Sequence, residues 1–424
     1  MDRGNDEGGH HPAPLRATTT IETNTVPGRR SPSSRQREPL PKGYWTIWTT
    51  VALDLIGFGI VVPILGVYAE RYGASGVTVG WLFATYSLAQ MVFSPLLGRL
   101  SDHVGRKPVI VISLIGTAVG SLITGAAGAL WVLFLGRAID GASGGSLSVA
   151  QAAVTDIAPE AQRPGLIGML GAAFGVGFVL GPAIGGLASL GGPHVPFYVA
   201  AVLAGINAVA AMIRLPETRR PDNRAESRHW SVPQSFVLRR MAMIGFLTTF
   251  GFVAFEATFS LFGKREFGLT EGSVSLVFLG IGVVLVIVQG GVYGRAVARR
   301  GVGTLYLAGL VAVVAGLAIV SGSRHWGVLV VGLIVLAGGQ GVVSPSITEL
   351  VTEASPADRR GQALGFQQSA TAIARVVAPP LAGLAFDHAG DWTPIASGAA
   401  ITALATLLVV VWRLHLPLRP APSP

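Results

Sequence analysis

Asp54 in LDLIGFGIVVPIL, Arg137 in LGRAIDGASGG, Glu256 in TFGFVAFEATFSLF and Arg375 in ATAIARVVAPP are charges set into strongly apolar surroundings. Such charges are costly and mark ion or substrate paths. Desolvation penalises a carboxylate's charge, so Asp54 and Glu256 suit reversible proton uptake or attraction of a cation. Arg137 inside a span must be paired or face water, and an i,i+3 pair with Asp140 is one way to meet that need. Arg375 is a candidate counter-charge for Glu256. Gln151, Phe174, Phe252 and Gln340 add polar and aromatic groups. With Asp54, Glu256 and Arg375 they form the candidate substrate cavity, although glutamines also serve to glue helices.

These groups need apolar elements to hold them. Half of the 424 residues are hydrophobic and only 12% are charged, against about a quarter charged in soluble domains. Apolar runs of roughly 20 residues fit a bilayer core. Twelve spans are expected, at 45–68, 77–99, 108–128, 130–154, 164–190, 194–214, 238–263, 272–294, 303–322, 326–351, 361–386 and 393–413. With both termini inside, Arg71, Lys264, Arg265 and Arg324 are the basic residues left on the outer side. Arg137 and Arg375 lie within spans, and the other lysines and arginines fall on the cytoplasmic side, as membrane insertion favours. That bias accounts for the net charge of +9 without nucleic acid. Tyr44, Trp45, Trp48 and Trp392 read as interfacial anchors.

The expected fold class is an all-α integral membrane protein of two pseudo-symmetric six-helix bundles. Residues 1–42 read as a polar, disordered cytoplasmic tail containing His10 and His11. The bundles cover 43–214 and 237–415, joined by a cytoplasmic linker at 215–236 and followed by a tail at 416–424. Residues 155–187 align without gaps to 352–384, matching Thr155 with Thr352, Arg163 with Arg360, Pro182 with Pro379 and Gly186 with Gly383. Paired halves with a site between them are a common transporter plan.

Cysteine is absent, which excludes disulfides and thiol catalysis. No HExxH cluster and no phosphate-binding GxxxxGK[ST] loop occurs. The expectation is therefore no enzyme, no metal and no cofactor, with any pumping driven by a gradient. The expected partners are a small-molecule substrate, protons and the lipid bilayer, with the chain working as a monomer in the cell membrane.

Two motifs narrow the reading. GRLSDHVGRK joins spans 2 and 3, with Asp102 placed to form a charge-assisted latch with nearby bases. Its counterpart GRAVARRG puts Ala298 where Asp102 would stand. In span 5, GMLGAAFGVGFVLGPAIGG holds seven glycines in nineteen residues. Gly175, Gly177 and Gly181 become Ala372, Ala374 and Ala378 in the second half, so the pattern is particular to span 5. Small residues let membrane helices approach closely.

Gly98, Leu100, Asp102, Gly105, Arg106 and Lys107 resemble the signature loop of the major facilitator superfamily. Gly168, Gly177, Gly181, Pro182, Gly185 and Gly186 resemble the span-5 motif of its proton-coupled drug exporters. Arg137 resembles the span-4 arginine linked there to proton transfer, and Asp54 resembles a span-1 aspartate of tetracycline-type exporters. The resemblance covers residues 43–415. It implies alternating access, with the loop controlling the switch and span 5 sealing the cavity. Outward movement of lipophilic or cationic compounds is then exchanged for protons. The alternative is a proton-coupled transporter of a metabolite such as a sugar or amino acid.

Overall fold

A computed structural model describes residues 40–159, 162–219, 235–356 and 359–412. Residues 1–39 with His10 and His11, the tail at 416–424, and most of the 215–236 linker lie outside the described residues.

Among the described residues the chain is helical, without strands. The first half comprises α1 (Tyr44–Glu70), α2 (Gly76–Val104), α3 (Arg106–Gly125), α4 (Leu130–Ser143), α5 (Ser146–Ile157), α6 (Arg163–Ala188) and α7 (Val195–Arg214). The second comprises α8 (Phe236–Phe267), α9 (Glu271–Ile287), α10 (Tyr293–Arg300), α11 (Val302–Ser321), α12 (Trp326–Glu353), α13 (Arg360–Ala389) and α14 (Thr393–Val411). Side-chain caps set several starts. Ser75 caps α2, Ser235 caps α8, and Thr270 with Ser273 forms a capping box on α9.

Two expected spans are not single α-helices. Span 4 breaks at Gly144–Gly145 into α4 and α5, leaving eleven helices long and apolar enough on their own to cross a membrane. Span 8 runs from α9 through a π-helical turn at Val288–Val292 into α10. Both breaks fall at glycine pairs, where a helix yields most readily.

Leu187, Leu190 and Ile213 are more than 70% exposed, so apolar surface faces outward. In water that surface would be a liability; in lipid it is the ordinary boundary. The chain is a multi-pass membrane protein. Two of the expected interfacial anchors instead tie helices together. Tyr44 is fully buried and donates to the Leu166 carbonyl at 2.9 Å, while Trp48 Nε1 donates to Met169 O at 2.9 Å. Trp45 and Trp392 are exposed.

The halves repeat in backbone detail. Positive-φ glycines recur in pairs near the repeat offset: Gly73 with Gly268, Gly105 with Gly301, and Gly192 with Gly390. Across the halves, α2 packs on α13 and α6 on α9. Both seams are tight at the face opposite Tyr44 and Val411. A Cβ added to Gly80 would stand 2.8 Å from Pro380 Cα, and one on Gly383 would stand 2.8 Å from Val77 Cα. A Cβ on Gly282 would run into the Phe178 carbonyl. Toward the face carrying the described chain ends, Gly98, Gly168, Gly171, Gly290 and Gly365 have nothing within 4 Å of an added Cβ. The seam helices are therefore closed at one face and spread at the other.

Candidate functional site

Between the halves lies a water-accessible cavity of about 610 Å³, a size suited to a drug-like molecule. Its wall draws on α1 to α6 and on α13. Of the expected cavity residues, Asp54, Gln151, Phe174 and Arg375 line it. Phe252 packs against the apolar core, and Glu256 and Gln340 fall outside the lining. Gln340 Oε1 is buried without a partner. The Arg375 guanidinium has no carboxylate within 4.0 Å among the described residues. Glu256 and Arg375 thus influence one another electrostatically without forming an ion pair.

The break in span 4 positions the Asp54 environment. Gly144 and Gly145 bring the chain against α2, where an added Cβ would stand 2.7 Å from Gln90 Nε2 and 2.6 Å from Leu97 Cδ1 respectively. Gln90 donates to the Gly144 carbonyl at 3.0 Å, occupying an acceptor at the break. Ser146 then begins α5 and its hydroxyl donates to Asp54 Oδ2 at 2.5 Å. Asp54 is half-buried, and no cation among the described residues is paired with it. It is thus a cavity-wall carboxyl held by one neutral donor beside a helix start, whose partial positive charge favours an anion.

Arg137 is differently placed. It is 3% exposed, donates through Nη1 to Asp140 Oδ2 at 2.7 Å, and lies over the Tyr86 ring at 4.3 Å. The i,i+3 pair therefore forms. Asp140 and Tyr86 reach the cavity wall, whereas Arg137 stands behind them. Its Nε has no partner.

At the α2–α3 loop, Arg106 is the hub. Its Nη1 donates to Asp102 Oδ1 at 2.5 Å and to Ser101 Oγ at 2.7 Å, and its Nε donates to Asp156 Oδ2 at 2.9 Å. Asp156, at the end of α5, couples this loop to the broken span. Glu217 completes the arrangement by accepting from the Arg106 and Lys107 amides at 2.9 and 3.2 Å. Partial burial opposes its charge, but the amides of Arg219, Arg106, Lys107 and Thr218 prevail and hold its carboxyl below the ordinary range. Gly105 is required twice here. Its φ is +109°, and an added Cβ would stand 2.8 Å from Glu217 Cδ. Leu100 is exposed, and Gly98 faces open space.

The span-5 glycines divide between two faces of α6. Gly177, Gly181 and Gly185 press on α1 within the same half; an added Cβ would stand 2.7 Å from Leu55 O at Gly177 and 2.6 Å from Gly59 Cα at Gly181. Gly186 faces Ser275 of α9 across the seam, with a Cβ distance of 3.2 Å. Pro182 lies inside the same helix. Gly168 is on the spread side.

A family model described as Major Facilitator Superfamily matches residues 47–320 and 290–424. The chain belongs to the major facilitator superfamily. Within it, the chain is 31% identical over 348 residues to "Tetracycline resistance protein, class B" of Escherichia coli, covering 79% of this chain and 86% of that one. It is 31% identical to the class D protein of Salmonella ordonez, covering 87% and 95%. "Multidrug resistance protein 1" of Bacillus subtilis (strain 168) is 25% identical, covering 86% and 95%. Among solved structures, the human organic anion transporter MFSD10 (TETRAN) superposes with a TM-score of 0.69 at 24% identity, over 87% of this chain and 98% of that one. The nucleoside transporter NupG gives 0.71 at 15%, over 88% and 99%. Those two likenesses establish the superfamily fold.

Several groups at this superfamily member's site were not singled out in the sequence. Ser146, Gln90, Asp156 and Glu217 are ordinary residues by type, and only the folded contacts reveal them. The Gly-Gly pair inside an expected span is the one local signal that could have led to Ser146.

Proposed function

We propose that this protein exports small lipophilic or cationic compounds, drugs or antibiotics among them, in exchange for protons. The efflux relatives support the direction and general class of cargo. The observation that carries the coupling is the setting of Asp54. It is a cavity-wall carboxyl held by Ser146 alone, while Asp140 is already neutralised by Arg137. A cationic compound entering from the spread face is drawn to ionised Asp54. After the halves rock to the other face, a proton from outside takes the carboxylate and the compound leaves. The protonated carboxyl returns and releases its proton inside, so each outward cargo is balanced by inward charge. Arg137 pairs with Asp140 and lies over the Tyr86 ring, holding both at the wall, and Glu256 acts from behind the wall. Alternating access uses the two seams, with the Arg106 cluster closing the spread face and the span-5 glycines sealing the other. The protein works as a monomer in the cell membrane with both ends in the cytoplasm.

The test uses inverted vesicles with an acidic interior and a panel of lipophilic antibiotics and organic cations. Addition of a transported compound is expected to release protons. Asp54→Asn should cut that release at least tenfold, and Glu256→Gln should keep more than half. Undiminished release in Asp54→Asn would remove Asp54 from the coupling step. No response from wild-type protein to any of the panel would favour a metabolite as cargo.

A further inference from the structure

Among the described residues six ion pairs join charged side chains. They are Arg71–Glu271, Arg106 with Asp102 and Asp156, Arg137–Asp140, Lys264–Glu70 and Arg324–Glu266. Arg240 and Arg265, which lack a carboxylate, lie over aromatic rings. Among the described residues Arg375 has neither an ion-pair partner nor an aromatic ring beneath it. It stands in the middle of α13, is exposed, and lines the cavity. A guanidinium inside a span is tolerated when a partner or water meets it. Here the cavity meets it; among the described residues no carboxylate lies within 4.0 Å of it, and Glu256 acts on it only from a distance outside the lining. The equivalent position in the first half of the repeat is Phe178, so the repeat architecture does not call for a charge there.

The charge balance of the wall sharpens the point. Arg137 cancels Asp140, leaving Asp54 and Arg375 as an unmatched negative and an unmatched positive group on one cavity. A wall designed for simple cations would carry excess negative charge. This wall is instead bipolar when Asp54 is ionised. Gln368 and Thr371 of α13 add neutral hydrogen-bonding groups to the same cavity wall. Arginine's planar fork suits a carboxylate or another acidic oxygen better than lysine's point charge does.

We propose that Arg375 receives an acidic substituent of the exported compound, so that the preferred cargo is amphoteric, with a basic centre toward Asp54 and an acidic oxygen on Arg375. The inference rests on the exporter reading and narrows its cargo. Loss of the acidic group removes one charge-assisted pair from the complex, while the apolar body and the basic centre keep theirs.

Rhodamine 110, with a free carboxylate, and its methyl ester rhodamine 123 isolate that group. Binding of each to purified protein in nanodiscs is read by fluorescence anisotropy at neutral pH, and transport of each is read in energised inverted vesicles. Wild-type protein is expected to bind the acid at least tenfold more tightly than the ester. Arg375→Gln should bring that ratio to within about twofold of one, and Arg375→Lys should restore part of it. An ester preference in the wild type, or an acid-to-ester ratio unmoved by Arg375→Gln, would overturn the proposal. If the ester is exported while the ratio stays flat, the exporter reading stands and the Arg375 assignment falls. If neither dye binds nor moves, both fall for this class of compound. A loss of proton release in Arg375→Gln with an unchanged ratio would make Arg375 a counter-charge for Glu256 and likewise overturn the docking role.

Discussion

Glu217 shows how much a single side chain can organise. Its two oxygens accept the first amides of α3 and the Arg219 amide, while the Arg219 side chain donates to the His103 carbonyl at 2.5 Å. The start of the inter-half linker is thereby docked on the α2–α3 loop, beside the Arg106 cluster. Its carboxyl is held below the usual range, so the sign follows directly. The contact contributes while Glu217 is ionised and is lost as pH falls through its lowered folded value. Glu217→Gln is therefore expected to raise hydrogen exchange at the Arg106 and Lys107 amides several-fold at neutral pH. Acidification through the folded value should raise exchange at the same amides in the wild type, after correction for the intrinsic pH effect, and should add little in the variant. Equal protection in both proteins at neutral pH would show that the carboxylate does not hold the loop. The Asp102 and Arg106 part of this cluster was legible in the sequence because a carboxylate at a helix end stands beside bases in a short, glycine-containing link. Glu217 and Asp156 were not, because they come from segments remote in the chain and nothing in their immediate surroundings marks them.

Helices give a second kind of information, which resides in faces. The sequence shows the glycines of α6 as one pattern, but the fold assigns them to different tasks. Gly177 and Gly181 interlock with Gly59 of α1, backbone against backbone, leaving no flexible side chain to move aside. Gly181→Val is expected to lower stability by about 1–3 kcal/mol or more, the usual cost of overpacking, seen as a clear fall in thermal unfolding temperature. Gly168→Ala meets open space on the spread side and gains up to about 1 kcal/mol of helix propensity. Its unfolding temperature should hold or rise although it belongs to the same motif. Equal losses in both variants would contradict the division of faces. Helix existence was readable throughout because roughly 20-residue apolar runs have few alternatives in a bilayer. The break at Gly144–Gly145 was hidden, since the hydropathy of span 4 continues across it while Gln90 and Ser146 make use of it from other directions. The same limit explains Glu256: an apolar neighbourhood identified a costly charge but could not say whether it faced the cavity.

On the scale of the whole molecule, the closed face is joined by groups from both halves. Asp387, near the end of α13, accepts the Gly76 amide through Oδ1 at 2.8 Å and the Val77 amide through Oδ2 at 2.9 Å. These are the first two amides of α2, which have no carbonyl partner within their own helix. Beside them, Glu70 pairs with Lys264 at 2.6 Å and Arg71 with Glu271 at 2.7 Å, so the last residue of α1 and the residue after it hold the second half with opposite polarity. The two ion pairs are solvent-exposed and contribute little individually. Asp387 has the advantage of two charge-assisted bonds at a helix start, and all of these contacts join α1 or α2 to the other half. Opening this face must exchange them for water. Asp387→Ala is therefore expected to favour the arrangement open at this face by about 1–2 kcal/mol, roughly five- to thirtyfold in population. The absence of cysteine makes a reporter simple: Ser369→Cys places one thiol on the cavity wall. An impermeant maleimide applied from the closed face should label it several-fold faster when Asp387 is alanine, and Asp387→Glu should fall between. Unchanged labelling from that face, with Ser369→Cys still reacting from the spread face, would mean that the glycine seams alone set the closed state.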